Sequence, residues 1–326
     1  MANTCSTIDL ITPGNGGIKL SRITYVDAPC KSVLNRVKGK GLPFNWSINP
    51  YTGCSHACTY CYARAFYLQA ERGSAAEFDS LIYVKSNAPA VLRTELARRS
   101  WKREMVVVGA ATDPYQPAEA KFRITRGILE ALRDSRTPVS IITKGPLVLR
   151  DIDLLREISD VAGLEVNMTV PTMDAAVSRT LEPHTPPPAA RMAAVRRLNE
   201  AGIRTGVFMA PILPGIADDQ ASIRAVMEAA VAAGAPYCMP VTLRLQPGVR
   251  EWFLPYISRH FPELTRDYAR LYQRVEAAGP YKQKTLGMAV SILAELGLDR
   301  MPGQMQPGGV KAPEVAEAPQ QMRLSI

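Results

Sequence analysis

The sequence contains no apolar run near the roughly 18 residues that a membrane-spanning helix needs. Its opening residues, MANTCSTIDLITPGNGG, lack a basic stretch followed by an apolar one, so they do not read as a secretory signal. These absences predict a cytoplasmic protein with no membrane partner. Cysteine is sparse, with six in 326 residues. In a compartment that keeps thiols reduced, they do not form a disulfide framework. Core-forming residues are not scarce: 47% of the chain is apolar and 21% charged, which excludes disorder over most of its length. Acidic residues are outnumbered, and the net charge is +9. A basic balance permits a nucleic-acid partner and equally serves solubility.

Between about residues 104 and 245, short β-branched runs alternate with amphipathic segments. The runs lie at Met105–Val108, Val139–Ile142, Glu165–Val170, Gly206–Met209 and Tyr237–Leu243. Segments such as Ile124–Arg133, Ala189–Ala201 and Gln220–Ala233 repeat apolar residues at three- and four-residue spacing. This rhythm predicts βαβ units and a parallel sheet. A first strand is expected within Phe44–Tyr51, making about six units, too few for an eightfold barrel. Thr185-Pro186 reads as a helix N-cap followed by a first-turn proline, and Gly202 and Gly234 as helix stops. Residues 1–43 read as an irregular basic extension, with six Lys/Arg against Asp9 and Asp27. The predicted core spans 44–245, helices fill 246–300, and 301–326 is expected to be a disordered tail.

Three cysteines share one loop, Cys54, Cys58 and Cys61, in C-x3-C-x2-C spacing. Thiolates are soft ligands for zinc or iron–sulfur clusters. Structural zinc usually takes two separated ligand pairs, and no partner pair is present; His56 is crowded between Cys54 and Cys58. A fully protein-ligated cluster for electron transfer requires a fourth thiolate, for which Cys30 and Cys238 are the candidates. Three thiolates on a four-iron cubane leave one iron open for chemistry.

This spacing, with an aromatic before the third cysteine, resembles the radical S-adenosylmethionine superfamily. The segments NPYTGCSHACTYCYAR, ATDPYQPAE, ITKG, LEPHTP and APILPG are similar to its spore-photolyase-like branch, and more closely to actinobacterial members. The resemblance covers about residues 20–275. It implies a partial (βα)6 TIM-like barrel, a [4Fe-4S] cluster and S-adenosylmethionine as cofactors, and an external flavodoxin- or ferredoxin-like electron donor. The implied reaction is reductive cleavage to a 5′-deoxyadenosyl radical that abstracts hydrogen from a substrate. Damaged DNA or another nucleic acid is one substrate class; a small metabolite or peptide is the other. A non-enzymatic iron–sulfur redox protein is the reading from another class.

By the same resemblance, Cys54, Cys58 and Cys61 are the metal ligands and Tyr60 packs near the adenine. Tyr62 and Lys144 are the catalytic candidates, Lys144 also being suited to the methionine carboxylate. Thr112 and Asp113 fall where the methionine ammonium is held; Asp113-Pro114 also reads as a plain turn. Asn167 and Thr169 share a strand face and suit the ribose or carboxylate. Arg191 suits the carboxylate or sits on an exposed helix face. Ile212 is the adenine-contact candidate. Spore photolyases carry a hydrogen-donor cysteine where this sequence has Ala110 or Ala111. The spore photolyase reaction is therefore not expected here unchanged. Cys238 is a distant substitute, better suited to a buried apolar role.

Overall fold

The computed structural model describes residues 5–12, 19–37 and 44–299. Among the described residues, eleven strands form two sheets: β1 (Cys5–Thr12), β2 (Lys19–Asp27), β3 (Asn35–Arg36), β4 (Trp46–Ile48), β5 (Tyr51–Thr52), β6 (Leu81–Val84), β7 (Val106–Val108), β8 (Val139–Thr143), β9 (Leu164–Thr169), β10 (Thr205–Ile212) and β11 (Cys238–Thr242). The larger sheet runs β11-β10-β9-β8-β7-β4-β3. Its six strands from β4 to β11 are all parallel, and β3 is antiparallel at the edge. This is the expected partial six-stranded barrel, with its first strand inside the window 44–51.

Strand faces follow from the alternation. Val106, Val108, Ile141, Val166, Met168 and Val207 point into the main core beneath the surrounding helices. Each such side chain contributes roughly 1.5–3 kcal/mol of burial. The helix Ile124–Asp134 meets this core with Ile124, Ile128, Ala131 and Leu132, a three- and four-residue stripe. The opposite strand face carries polar residues, among them Ser140, Glu165, Asn167 and Thr169, which line the barrel interior. Gly206 stands there because the Tyr237 ring fills the space: a β-carbon would lie 2.1 Å from it. The Tyr237 hydroxyl donates to Asn167 Oδ1 at 2.7 Å, and Ser140 donates to Glu165 at 2.9 Å. These buried groups close the floor of the barrel.

Two expectations change. The Thr185 cap is not formed: the helix is Pro188–Glu200, with Pro187 as its cap and Pro188 at its first position. The Thr185 hydroxyl instead donates to Glu182 O at 2.9 Å. The N-terminal stretch is not irregular where it is described. β1 pairs antiparallel with β2, which lies parallel to β6 in a second sheet ordered β1-β2-β6-β5. Its period was obscured by interspersed charge. The predicted stops are present, with Gly202 and Gly234 at φ +77° and +71° after their helices. Helices Val249–His260, Thr265–Leu271 and Gly279–Glu295 occupy the C-terminal stretch. The expected tail at 301–326 lies outside the described residues, as do Lys38 and Lys40.

Candidate active site

The cysteine loop leaves β5 and enters the helix Ala63–Gln69. Gly53 turns it in at φ +88°, where a β-carbon would meet Leu81 O at 2.8 Å. The loop is then fastened at each cysteine interval. Cys54 N donates to Phe78 O at 3.0 Å, Ser55 N to Gln116 Oε1 at 3.0 Å, and Thr59 N to Leu181 O at 2.9 Å. Ala57 takes a left-handed φ of 57°, which lets three residues wrap between the first two cysteines.

All three cysteines are free thiols; Cys54 and Cys58 are buried, and Cys61 is partly so. Burial pushes all three thiols up from their ordinary pKa, with Asp113 adding to the effect at Cys54 and Glu182 at Cys58. Three thiolates are tenable here only against a cationic metal centre. Among the described residues no three His, Cys, Asp or Glu side chains converge as ligands of a single ion. A cubane asks for a different arrangement, one iron for each thiolate, and the donor set suits it. Neither candidate for a fourth thiolate joins the loop. Cys30 packs beside the main core with its Sγ 3.4 Å from Asn87 Oδ1, and Cys238 lies fully buried within that core.

Two buried polar networks brace the loop from the C-terminal ends of the neighbouring strands. The first follows β7. Thr112 Oγ1 donates to Gly53 O at 2.7 Å, and Gln116 Nε2 to both Gly53 O and Thr112 Oγ1. Asp113 accepts from Thr143 Oγ1 at 2.6 Å, Tyr115 N at 2.8 Å and Lys144 N at 2.7 Å, and its carboxylate lies 3.3 Å from His56 Nδ1. The imidazole approaches without hydrogen-bond alignment. Burial alone would raise the Asp113 pKa. The His56 charge and the Thr143 and Lys144 donors outweigh it and hold the group at about 2.

The second network centres on Glu182, which stands inside the segment LEPHTP. It accepts from the Tyr60 hydroxyl and from Arg191, and Lys144 Nζ lies 3.4 Å away. Burial would raise its pKa, yet Lys144, Arg191 and Tyr60 hold it at about 2. Tyr60 is also packed edge-on against Phe253, and Lys144 Nζ sits 5.9 Å from the Tyr60 ring centre. Arg191 is fully buried rather than on an exposed helix face. Besides Glu182 and Thr185 it donates to Pro186 O at 2.7 Å and Thr169 O at 3.1 Å.

The remaining candidates divide. Asn167 spends its amide laterally, on Ser140 Oγ at 3.0 Å, Ile141 O at 3.2 Å and Tyr237. Thr169 follows it at the mouth end of β9. Ile212 is fully buried in the main core, its carbonyl taken by Leu243 N at 3.1 Å. Tyr62 is 47% exposed, and its hydroxyl donates to Ala110 O. His184 Nδ1 lies 3.2 Å from Ser55 O. Cys54, Cys58, Tyr60, Asp113 and Lys144 are thus gathered at one end of the barrel. Gln116 was missed as a brace, though it stands inside the motif ATDPYQPAE.

A family model for the radical SAM superfamily matches residues 48–225. The chain belongs to this superfamily. It is 40% identical over 260 residues to an uncharacterized protein of Mycobacterium tuberculosis, covering 79% of this chain and 75% of the relative. An uncharacterized protein of Methanocaldococcus jannaschii is 33% identical over 198 residues, 61% of this chain and 71% of the relative. The fold is similar to spore photoproduct lyase complexed with a dinucleoside spore photoproduct. The TM-score is 0.63 at 15% identity, covering 83% of this chain and 79% of that one. A mutant of that lyase with bound AdoMet and the dinucleoside gives 0.58 at 15% identity, covering 80% and 76%.

Proposed function

We propose that this protein holds a [4Fe-4S] cluster on Cys54, Cys58 and Cys61 and cleaves S-adenosylmethionine reductively to start hydrogen abstraction from a substrate. The observation that carries the reading is the three-cysteine loop, fixed to the turn before β6, the segment after β7 and the segment after β9. When bound, the cluster and S-adenosylmethionine supply a 5′-deoxyadenosyl radical, and the electron comes from an external donor of flavodoxin or ferredoxin type.

This chain's residues supply orientation and charge. Lys144 and Arg191 carry two positive charges against the one negative charge of Glu182. The surplus cation, Lys144, is only 13% exposed and suits the methionine carboxylate. Asp113 already accepts from three donors, so its part is to fix Thr143, the Lys144 backbone and the cysteine loop. Thr112 does the same through Gly53. Tyr60 closes the loop against Glu182, and Thr169 is the polar side chain best placed on β9 for the cofactor. Arg191 and Asn167 support the site from within it, and Ile212 backs it from the core.

Tyr62 is the proposed hydrogen-transfer residue. Its hydroxyl rests on Ala110, at the place where the resemblance implies a cysteine in spore photolyases. Cys238, buried in the core, offers no thiol there. This favours a reaction other than spore photolyase repair carried out unchanged, on a nucleic acid or on a small metabolite or peptide.

The test is anaerobic reconstitution with iron, sulfide and reductant. The reading expects 5′-deoxyadenosine and methionine, and a reduced-cluster EPR signal that changes on adding S-adenosylmethionine. A cluster whose signal ignores S-adenosylmethionine and yields neither product points instead to a redox protein.

A further inference from the structure

The loops feeding the opposite ends of the strands build a second feature. An open cleft of about 800 Å³ lies between residues 93–103, which lead into β7, and residues 131–135, which lead toward β8. Its lining carries Arg93, Arg98, Arg99, Lys102, Arg103 and Trp101. Among the described residues, Asp134 is the one acid in that lining, and it already pairs with Arg93 and Arg133. Arg98, Arg99, Lys102 and Arg103 are exposed and make no ion pair among the described residues.

The cations sit on a fixed scaffold. Trp101 Nε1 donates to Thr137 Oγ1 at 3.0 Å, and its ring meets Trp46 edge-on at 5.5 Å. Arg103 and Arg136 hold left-handed backbone, φ 54° and 52°, where glycine or asparagine is less strained. Unpaired like charges gathered in a concavity repel one another and focus a positive field outward. A partner with several regularly spaced negative charges relieves that repulsion.

Position narrows the partner. An electron donor must approach the cysteine loop, which lies at the C-terminal ends of the strands; the cleft is at the N-terminal ends. A single small anion engages only part of four cations spread over six residues. An extended row of phosphates engages them together. We propose that this cleft binds the phosphodiester backbone of a nucleic acid, on a surface separate from the mouth of the barrel. The proposal stands independently of the chemistry at the cysteine loop.

The experiment measures binding of the full chain to labelled 20-nucleotide single strands and duplexes by fluorescence anisotropy across a salt series. The cleft variant replaces Arg98, Arg99, Lys102 and Arg103 with Gln. A control replaces Arg196, Arg197, Arg259 and Arg266 with Gln, removing the same charge from other exposed positions. Thermal midpoints check that both variants fold. The expected result is steep salt dependence for the unaltered protein. The cleft variant binds at least about tenfold more weakly, with a salt slope smaller by about 3; the control stays close to the unaltered protein. The proposal is overturned by no binding at low salt, by an equal loss in the control, or by a cleft variant that loses affinity for an acidic flavodoxin while keeping it for nucleic acid.

Discussion

At the C-terminal ends of the strands, Asp113, Glu182, Lys144 and Arg191 are buried or nearly so, and each is held by named partners. At the N-terminal ends, Arg98, Arg99, Lys102 and Arg103 stand in solvent without ion pairs among the described residues. The same kinds of side chain serve opposite purposes. A buried, paired charge fixes geometry and is shielded from salt; an exposed, unpaired one acts at a distance and is screened within about 10 Å at 0.1 M salt. The sheet separates the two uses.

The contrast can be broken by substitution, beginning with the largest effect. Cys58→Ala removes one of the three proposed cluster ligands and is expected to abolish S-adenosylmethionine cleavage, read as 5′-deoxyadenosine formed per chain. It should leave anisotropy-measured binding at the cleft unchanged. Arg191→Leu leaves Glu182 with less compensation in a buried site. It is expected to cost about 3–5 kcal/mol of stability in urea unfolding, whereas Arg98→Gln at the other end should stay within about 0.5 kcal/mol. If the two losses were alike, the distinction between the ends would fail. Gly206→Ala drives a methyl into the Tyr237 ring and is expected to cost about 1–3 kcal/mol, read from the same unfolding curves.

Acid probes the mouth through its two buried carboxylates. Asp113 and Glu182 are held at about 2, below the roughly 4 of unfolded carboxyls. Their contribution is therefore full above pH 4 to 5 and is lost as pH falls through the folded values toward 2. Each is expected to contribute roughly 2–3 kcal/mol. Asp113→Asn should flatten the decline between pH 5 and pH 3 in a denaturant series, while Arg98→Gln leaves it unchanged.

The barrel was legible because its strands are short β-branched runs and its helices carry a clean apolar stripe, as at Val106–Val108 and Ile124–Asp134. The cysteine loop was legible from spacing alone. What stayed hidden was the direction of polar side chains. Asn167 lies on the predicted interior face, but only the fold shows its amide consumed by Ser140, Ile141 and Tyr237. Thr185 has the chemistry of a cap and serves Glu182 instead, because two more prolines delay the helix start to Pro188. Cys238 alternates onto the core side of β11, a parity that a strand boundary uncertain by one residue leaves open. The N-terminal strands were masked by their polar residues, since pairing with β6 depends on a segment about 60 residues away.

The floor made by Tyr237, Asn167, Ser140 and Glu165 is a chain of hydrogen bonds between buried side chains rather than an apolar plug. A buried group that loses its partner keeps its desolvation cost. Tyr237→Phe would strip Asn167 Oδ1 of its donor, so a change of one oxygen atom beside β11 reaches a side chain two strands away.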